Sequence, residues 1–173
     1  MNFLIVGNKK LFYGATNAYQ EKGIRCEYES SYVDAIPWIR RKHDGEWCVI
    51  IDKWMSGDTK ESMLPILTAL HAEANGMPWV IVEDNVSSCS MEICYPRNKK
   101  LFEDAADKIN EILHSDNARS ENKIIQDFYK LADINFFDRN TDGIMKREQY
   151  VGTMNDASSW IILWEICMDY FVL

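Results

Sequence analysis

The chain has 173 residues, 47% hydrophobic and 12% aromatic, and carries a net charge of −8 with a pI near 4.9. This is apolar material for one or two compact domains, while the acidic balance argues against nucleic-acid binding, which normally needs a basic face. The longest apolar candidate, 160 to 173, is broken by Glu165 and Asp169, so no membrane span is expected.

In chain order, Phe3 to Val6 is a short apolar run ending at Gly7-Asn8; with no basic leader it reads as a first strand, not a signal peptide. Leu11 to Lys22 carries a helical pattern that stops at Gly23, and Ile24 to Tyr28 alternates as a half-buried strand. Tyr32 to Arg41 is a second helix, in which Pro37 predicts a late start or a kink. The basic cluster Arg40-Arg41-Lys42-His43 at its end is explained by a helix dipole more cheaply than by a phosphate site. Trp47 to Ile51 is a wholly apolar run ending at Asp52, the pattern of a central parallel strand. A helix is expected from about Thr59 to Ala74, then a buried strand Trp79 to Val82 ending at Glu83-Asp84. Met91 to Tyr95 reads as a fifth strand, and Asn98 to His114 as a long amphipathic helix. The polar stretch 115–122 is the expected linker. Beyond it, Ile124 to Phe137 and Met145 to Met154 read as helices around a turn-rich loop, and a last helix runs from Trp160 to about Phe171.

The five cysteines (Cys26, Cys48, Cys89, Cys94, Cys167) form no CxxC pair and read as reduced thiols of a cytoplasmic protein. The three histidines have no HExxH spacing, so no histidine–cysteine zinc site is expected. No GxxxxGK[ST], GxGxxG or GxSxG motif occurs, and no nucleotide cofactor is expected.

Successive strand–helix units predict an α/β fold with a parallel sheet, whose ligands gather at the carboxyl ends of strands. Those ends are Gly7-Asn8, Asp52-Lys53, Glu83-Asp84 and Tyr95-Pro96. The order and spacing of residues 3 to 114 resemble a response-regulator receiver domain. Asp52 stands where receivers carry the phosphoaccepting aspartate, and Tyr95-Pro96 where they place lysine followed by proline. The resemblance implies a flavodoxin-like parallel five-stranded sheet. The chain departs from the family where the chemistry lies. Gly7 and Asn8 replace the acidic pair that holds magnesium, Tyr95 replaces the lysine, and Glu83-Asp84 replace the hydroxyl residue after the fourth strand. Added carboxylates would repel an aspartyl phosphate, whose charge must be neutralised. The degenerate site Asp52, Glu83, Asp84 and Tyr95 therefore reads as a rigid pseudo-receiver. The alternative is a metal-dependent enzyme using Asp52, Glu83 and Asp84 as ligands or acid/base groups.

Asp138-Arg139-Asn140-Thr141-Asp142-Gly143 resembles an EF-hand loop in its first six positions. Asp138, Asn140 and Asp142 would supply oxygens to Ca2+, with the carbonyl of Ile144 next and Gly143 permitting the turn. Position 12 is Gln149, which brings no charge, and Glu148 falls one residue early. The competing reading is a polar connection in which aspartate and asparagine cap the next helix.

The last helix is apolar nearly all round, so it is either buried in the fold or engaged with a partner through Trp160, Trp164 and Phe171. The combined expectation is a receiver-like α/β domain at 1–114, a linker at 115–122 and a small helical EF-hand-like unit at 123–173. The resemblance implies a non-catalytic regulator acting by protein–protein contact, constitutive or tuned by Ca2+, with no nucleic-acid or membrane partner. A homodimer built on the last helix is the third reading.

Overall fold

The computed structural model describes residues 1–54, 64–85, 90–96, 100, 103–104, 106–107, 111, 144–147 and 157–171. Its elements are β1 (Asn2–Val6), α1 (Lys9–Tyr19), β2 (Cys26–Glu29), α2 (Tyr32–Ile39), β3 (Trp47–Asp52), α3 (Leu64–Ala74), β4 (Trp79–Asn85), β5 (Ser90–Pro96), β6 (Ile144–Arg147) and α4 (Ala157–Phe171). The linker at 115–122 and the loop residues Asp138, Asn140, Asp142 and Gln149 lie outside the described residues.

The helix boundaries follow local chemistry. The Asn8 side chain accepts from the amides of Lys10 and Leu11, giving α1 its N-cap. After a 3-10 turn, Gly23 takes the left-handed conformation at φ 67° and ends the run. Ser31 caps α2 by accepting from the Asp34 amide. Helix α2 starts at Tyr32 and continues through Pro37 to Ile39, so the late start anticipated from that proline does not occur. The bond that Pro37 forgoes is the one to Val33, on the exposed side of the helix.

The four parallel strands lie in the order β2-β1-β3-β4. This α/β arrangement is compatible with the expected flavodoxin-like fold. Strand β1 is buried from Phe3 to Val6, and all six residues of β3 are buried, because helices cover both faces. On one face Leu4, Val6, Val49, Ile51 and Ile81 pack under α2 and α3. On the other Phe3, Ile5, Ile50, Val80 and Val82 meet α1 and, from α4, Trp160 and Leu163. Tyr19 of α1 donates its hydroxyl hydrogen bond to the Trp160 carbonyl, fastening α4 to α1.

The parallel sheet does not have five strands. Strand β5 runs antiparallel to β4, with Cys94 opposite Ile81 and Ser90 opposite Asn85. Only residues 86–89 separate the two strands. A parallel return needs a crossover of about a dozen residues, so this connection admits only a hairpin. A second difference follows at the edge. The stretch beginning at Met145, expected as helix, contributes β6 at Ile144–Arg147, antiparallel to β5. Pairing at an open sheet edge outweighs a weak local helical pattern. Within the anticipated long helix, residues 100, 103–104, 106–107 and 111 are helical. Ala106 is buried in the α2/α3 core.

Helix α3 is buried at every position from Pro65 to Ala72. One of these positions is His71, which is fully buried; its Nε2 lies 3.1 Å from the Tyr32 hydroxyl. Its Nδ1 has no hydrogen-bond partner among the described residues. Burial, with a smaller contribution from the Arg40 charge, pushes its pKa down to about 3. The folded protein thus keeps His71 neutral where an unfolded chain takes up a proton below about 6.5. Stability is full above that value and declines as pH falls toward 3. Between pH 7 and pH 5 this residue should cost about 2 kcal/mol of folding free energy. Urea titrations of His71→Leu should lack that slope, and an equally steep acid limb would assign the loss to other groups.

Candidate functional site

The strand order reverses between β1 and β3, the switch point at which open α/β sheets present ligand-binding groups. The residues there are Gly7, Asn8 and Asp52, with Lys53 and Glu83 beside them. Gly7 has φ 93°, a conformation that favours glycine, and its amide bonds the Glu29 carbonyl at 2.9 Å. Asn8 uses its carboxamide oxygen for the α1 cap.

Asp52 is 3% exposed and accepts a hydrogen bond from the Trp54 amide at 3.1 Å. It follows Ile51 of the α2/α3 face, so the pleat turns it to the α1/α4 face. Its charge, after those of Lys9 and Asp34, acts on the Tyr28 phenol of that face. Burial is the largest cause of the raised Tyr28 pKa, and Lys9 opposes it. Nearby, burial, Asp34 and Glu27 raise the Glu29 carboxyl, while Asp34 itself is lowered by the hydroxyls of Ser30 and Ser31.

Glu83 occupies the alternate parity. It follows Val82, which packs on the α1/α4 side, so its place in the pleat belongs to the α2/α3 face. The Lys53 amide bonds the Val82 carbonyl at 2.9 Å, continuing the β3–β4 ladder. Lys53 Nζ stands 3.6 Å from Glu83 Oε2 and 5.2 Å from the centre of the Trp54 ring. At that length the contact is an ion pair, not a hydrogen bond. Both side chains are about nine-tenths buried.

Lys53 brings an ammonium group to the mouth of the sheet. Asp52 and Glu83 stand at alternate positions of the β3–β4 register, Asp52 being paired with Val82. Asp84 continues β4 opposite Met91. Tyr95 is not at this mouth: beyond Cys94, which faces Ile81, it lies roughly 13 Å along the strand from the Asp84 register, toward the amino ends of the parallel strands. The hairpin is the cause. Among the described residues, no three His, Cys, Asp or Glu side chains group closely enough to hold a metal ion.

The residue the sequence reading passed over is Lys53. Its only signal was its place directly after a buried strand's terminal aspartate, where a long cation can fold back on a neighbouring strand. Of the residues proposed for a partner surface, Trp160 is 1% exposed and belongs to the core. Trp164 is half-buried with the Lys22 ammonium 5.0 Å from its ring. Ile144 opens β6 opposite Pro96. Neither Cys26 nor Cys48 is in a disulfide, and burial pushes Cys26 up to about 12, away from reactivity at neutral pH.

No protein-family model matches the chain, and comparison with curated proteins and with solved structures finds no match.

Breaking one partner of a buried ion pair leaves a charge without compensation, whereas replacing both with apolar groups is often neutral. Lys53→Met and Glu83→Leu should each cost about 3 kcal/mol in urea unfolding, and the double variant should recover most of that loss. Additive losses would show that the two charges are not coupled.

Proposed function

We propose that this protein is a non-catalytic regulatory module, a pseudo-receiver that works by presenting a fixed surface to a protein partner. The reading begins from the likeness of the β2-β1-β3-β4 order, with Asp52 at the end of β3, to a receiver. The observation that carries it is the state of the strand-end groups. Asp52 is buried and bonded to the Trp54 amide of its own loop, and Lys53, the next residue, is set against Glu83. A phosphoryl group on Asp52 would have to be accommodated in buried surroundings, where its charge must be neutralised for transfer. These groups are suited to holding the mouth of the sheet in one shape. Control would then come from elsewhere in the chain.

The EF-hand-like segment is the source of control that fits this reading. Ile144 is both the seventh loop position and the first residue of β6. A cation held by Asp138, Asn140 and Asp142 would thereby act on the outermost strand of the sheet, one residue away from the loop glycine. The weak twelfth position, Gln149, suits modest affinity. The partner is a protein, met through the helical layers.

Two measurements test this. Incubation with acetyl phosphate and Mg2+ followed by intact-mass analysis should show no phosphoryl adduct on Asp52; a stable adduct there overturns the pseudo-receiver reading. Calorimetric titration with Ca2+ should show saturable heat in the intact chain that is lost in Asp138→Ala. Heat unaffected by the substitution, or absent from both proteins, removes the cation from the proposal.

A further inference from the structure

At the other end of the sheet, where β1, β3 and β4 begin, the fold leaves a hollow of about 750 Å3. Arg40, Arg41, Lys42 and His43 line it together with the part-exposed apolar residues Met1, Met77 and Pro78, and Ile39 and Trp47 are buried in its wall. A second chain segment, the turn from Asn75 to Pro78, also lines it, with Gly76 at φ 68° where α3 gives way to β4.

The helix dipole accounts for part of this charge. It acts within the last turn, which explains Arg40 at the C-cap of α2. It does not explain Lys42 beyond it, nor a volume left open between two loops. Among the described residues, none of Arg40, Arg41 and Lys42 joins an ion pair. Among the described residues lining this hollow, Glu46 is the one carboxylate, in a chain whose net charge is −8.

The basic loop is also held in place. The His43 ring stacks on Trp38 with centroids 3.7 Å apart, and its Nε2 lies 2.6 Å from the Trp38 carbonyl oxygen. Trp47 packs edge-on against Trp38, and its indole N–H donates to the Asp44 carbonyl. Gly45, at φ 81°, lets the loop double back onto β3. Cations carried on a loop braced by three packed rings lose less freedom on binding than cations on a free one.

Two guanidinium forks beside an ammonium match the oxygens of a phosphate. The apolar lining residues Met1, Met77 and Pro78 favour a ligand with more than a phosphate to it, and the volume lies within the range of small-molecule sites. We propose that this hollow binds a small phosphate monoester, its phosphate held by Arg40, Arg41 and Lys42 and its apolar body resting toward Met1, Met77 and Pro78. The site is independent of the strand-end mouth and of any role for Asp52 or Ca2+.

The test is an NMR titration of the full-length 15N-labelled protein with phenyl phosphate, with inorganic phosphate and phenol as the two halves of that probe. Phenyl phosphate should move the amides of 39–47 and 75–78 saturably and bind more tightly than either half. Affinity should fall at least tenfold in Arg40→Gln/Arg41→Gln and also in the single variant Lys42→Glu, which guards against a folding defect in the first. It should be unchanged in Lys9→Gln/Lys10→Gln, which removes two cations at the opposite end of the sheet. Shifts that avoid these segments, equal binding by inorganic phosphate, or an affinity indifferent to both hollow variants would each overturn the proposal.

Discussion

The pleat of the buried parallel strands is the constraint on which the rest of the molecule depends. Strands β1, β3 and β4 carry apolar side chains on both faces, and each face must be covered by helices. Alternate residues therefore enter different layers, Leu4, Val49 and Ile51 beneath α2 and α3, and Phe3, Ile5 and Ile50 beneath α1 and α4. The rule reaches the last residue of β3, setting Asp52 in register with Val82 and one position out of step with Glu83, whose partner is Lys53.

The short link between β4 and β5 has an effect of similar reach. It turns the fifth strand round, which removes Tyr95 from the mouth and sends the chain back toward the amino ends of the parallel strands. The reversed strand leaves an edge that β6 completes. The α/β pattern holds in the four parallel strands, while the next side of the sheet is built as a hairpin.

The two ends of the sheet are consequently different in kind. At the carboxyl ends the charged groups are buried and answer one another, with Asp52 bonded into its loop and Lys53 set against Glu83. At the amino ends the cations Arg40, Arg41 and Lys42 are exposed on a loop braced by Trp38, His43 and Trp47. Buried, compensated charge favours a fixed shape, and exposed charge over an apolar base favours a ligand.

Much of the fold was legible in the residues themselves. Continuous apolar runs marked β1, β3 and β4, Asn8 and Gly23 bounded the first helical run, and the repeated strand–helix units implied the parallel sheet. These features rest on nearest neighbours: propensity, capping, and burial on two faces. The direction of β5, the recruitment of Ile144–Arg147 as a strand, the burial of Trp160 and the meeting of Lys53 with Glu83 were decided only by the tertiary structure. Each depends on which segment fills an open edge or a bare face, and such a choice is made among residues distant in the chain. The end of a strand lies in the sequence, but the face on which its last side chain finds a partner belongs to the assembled sheet.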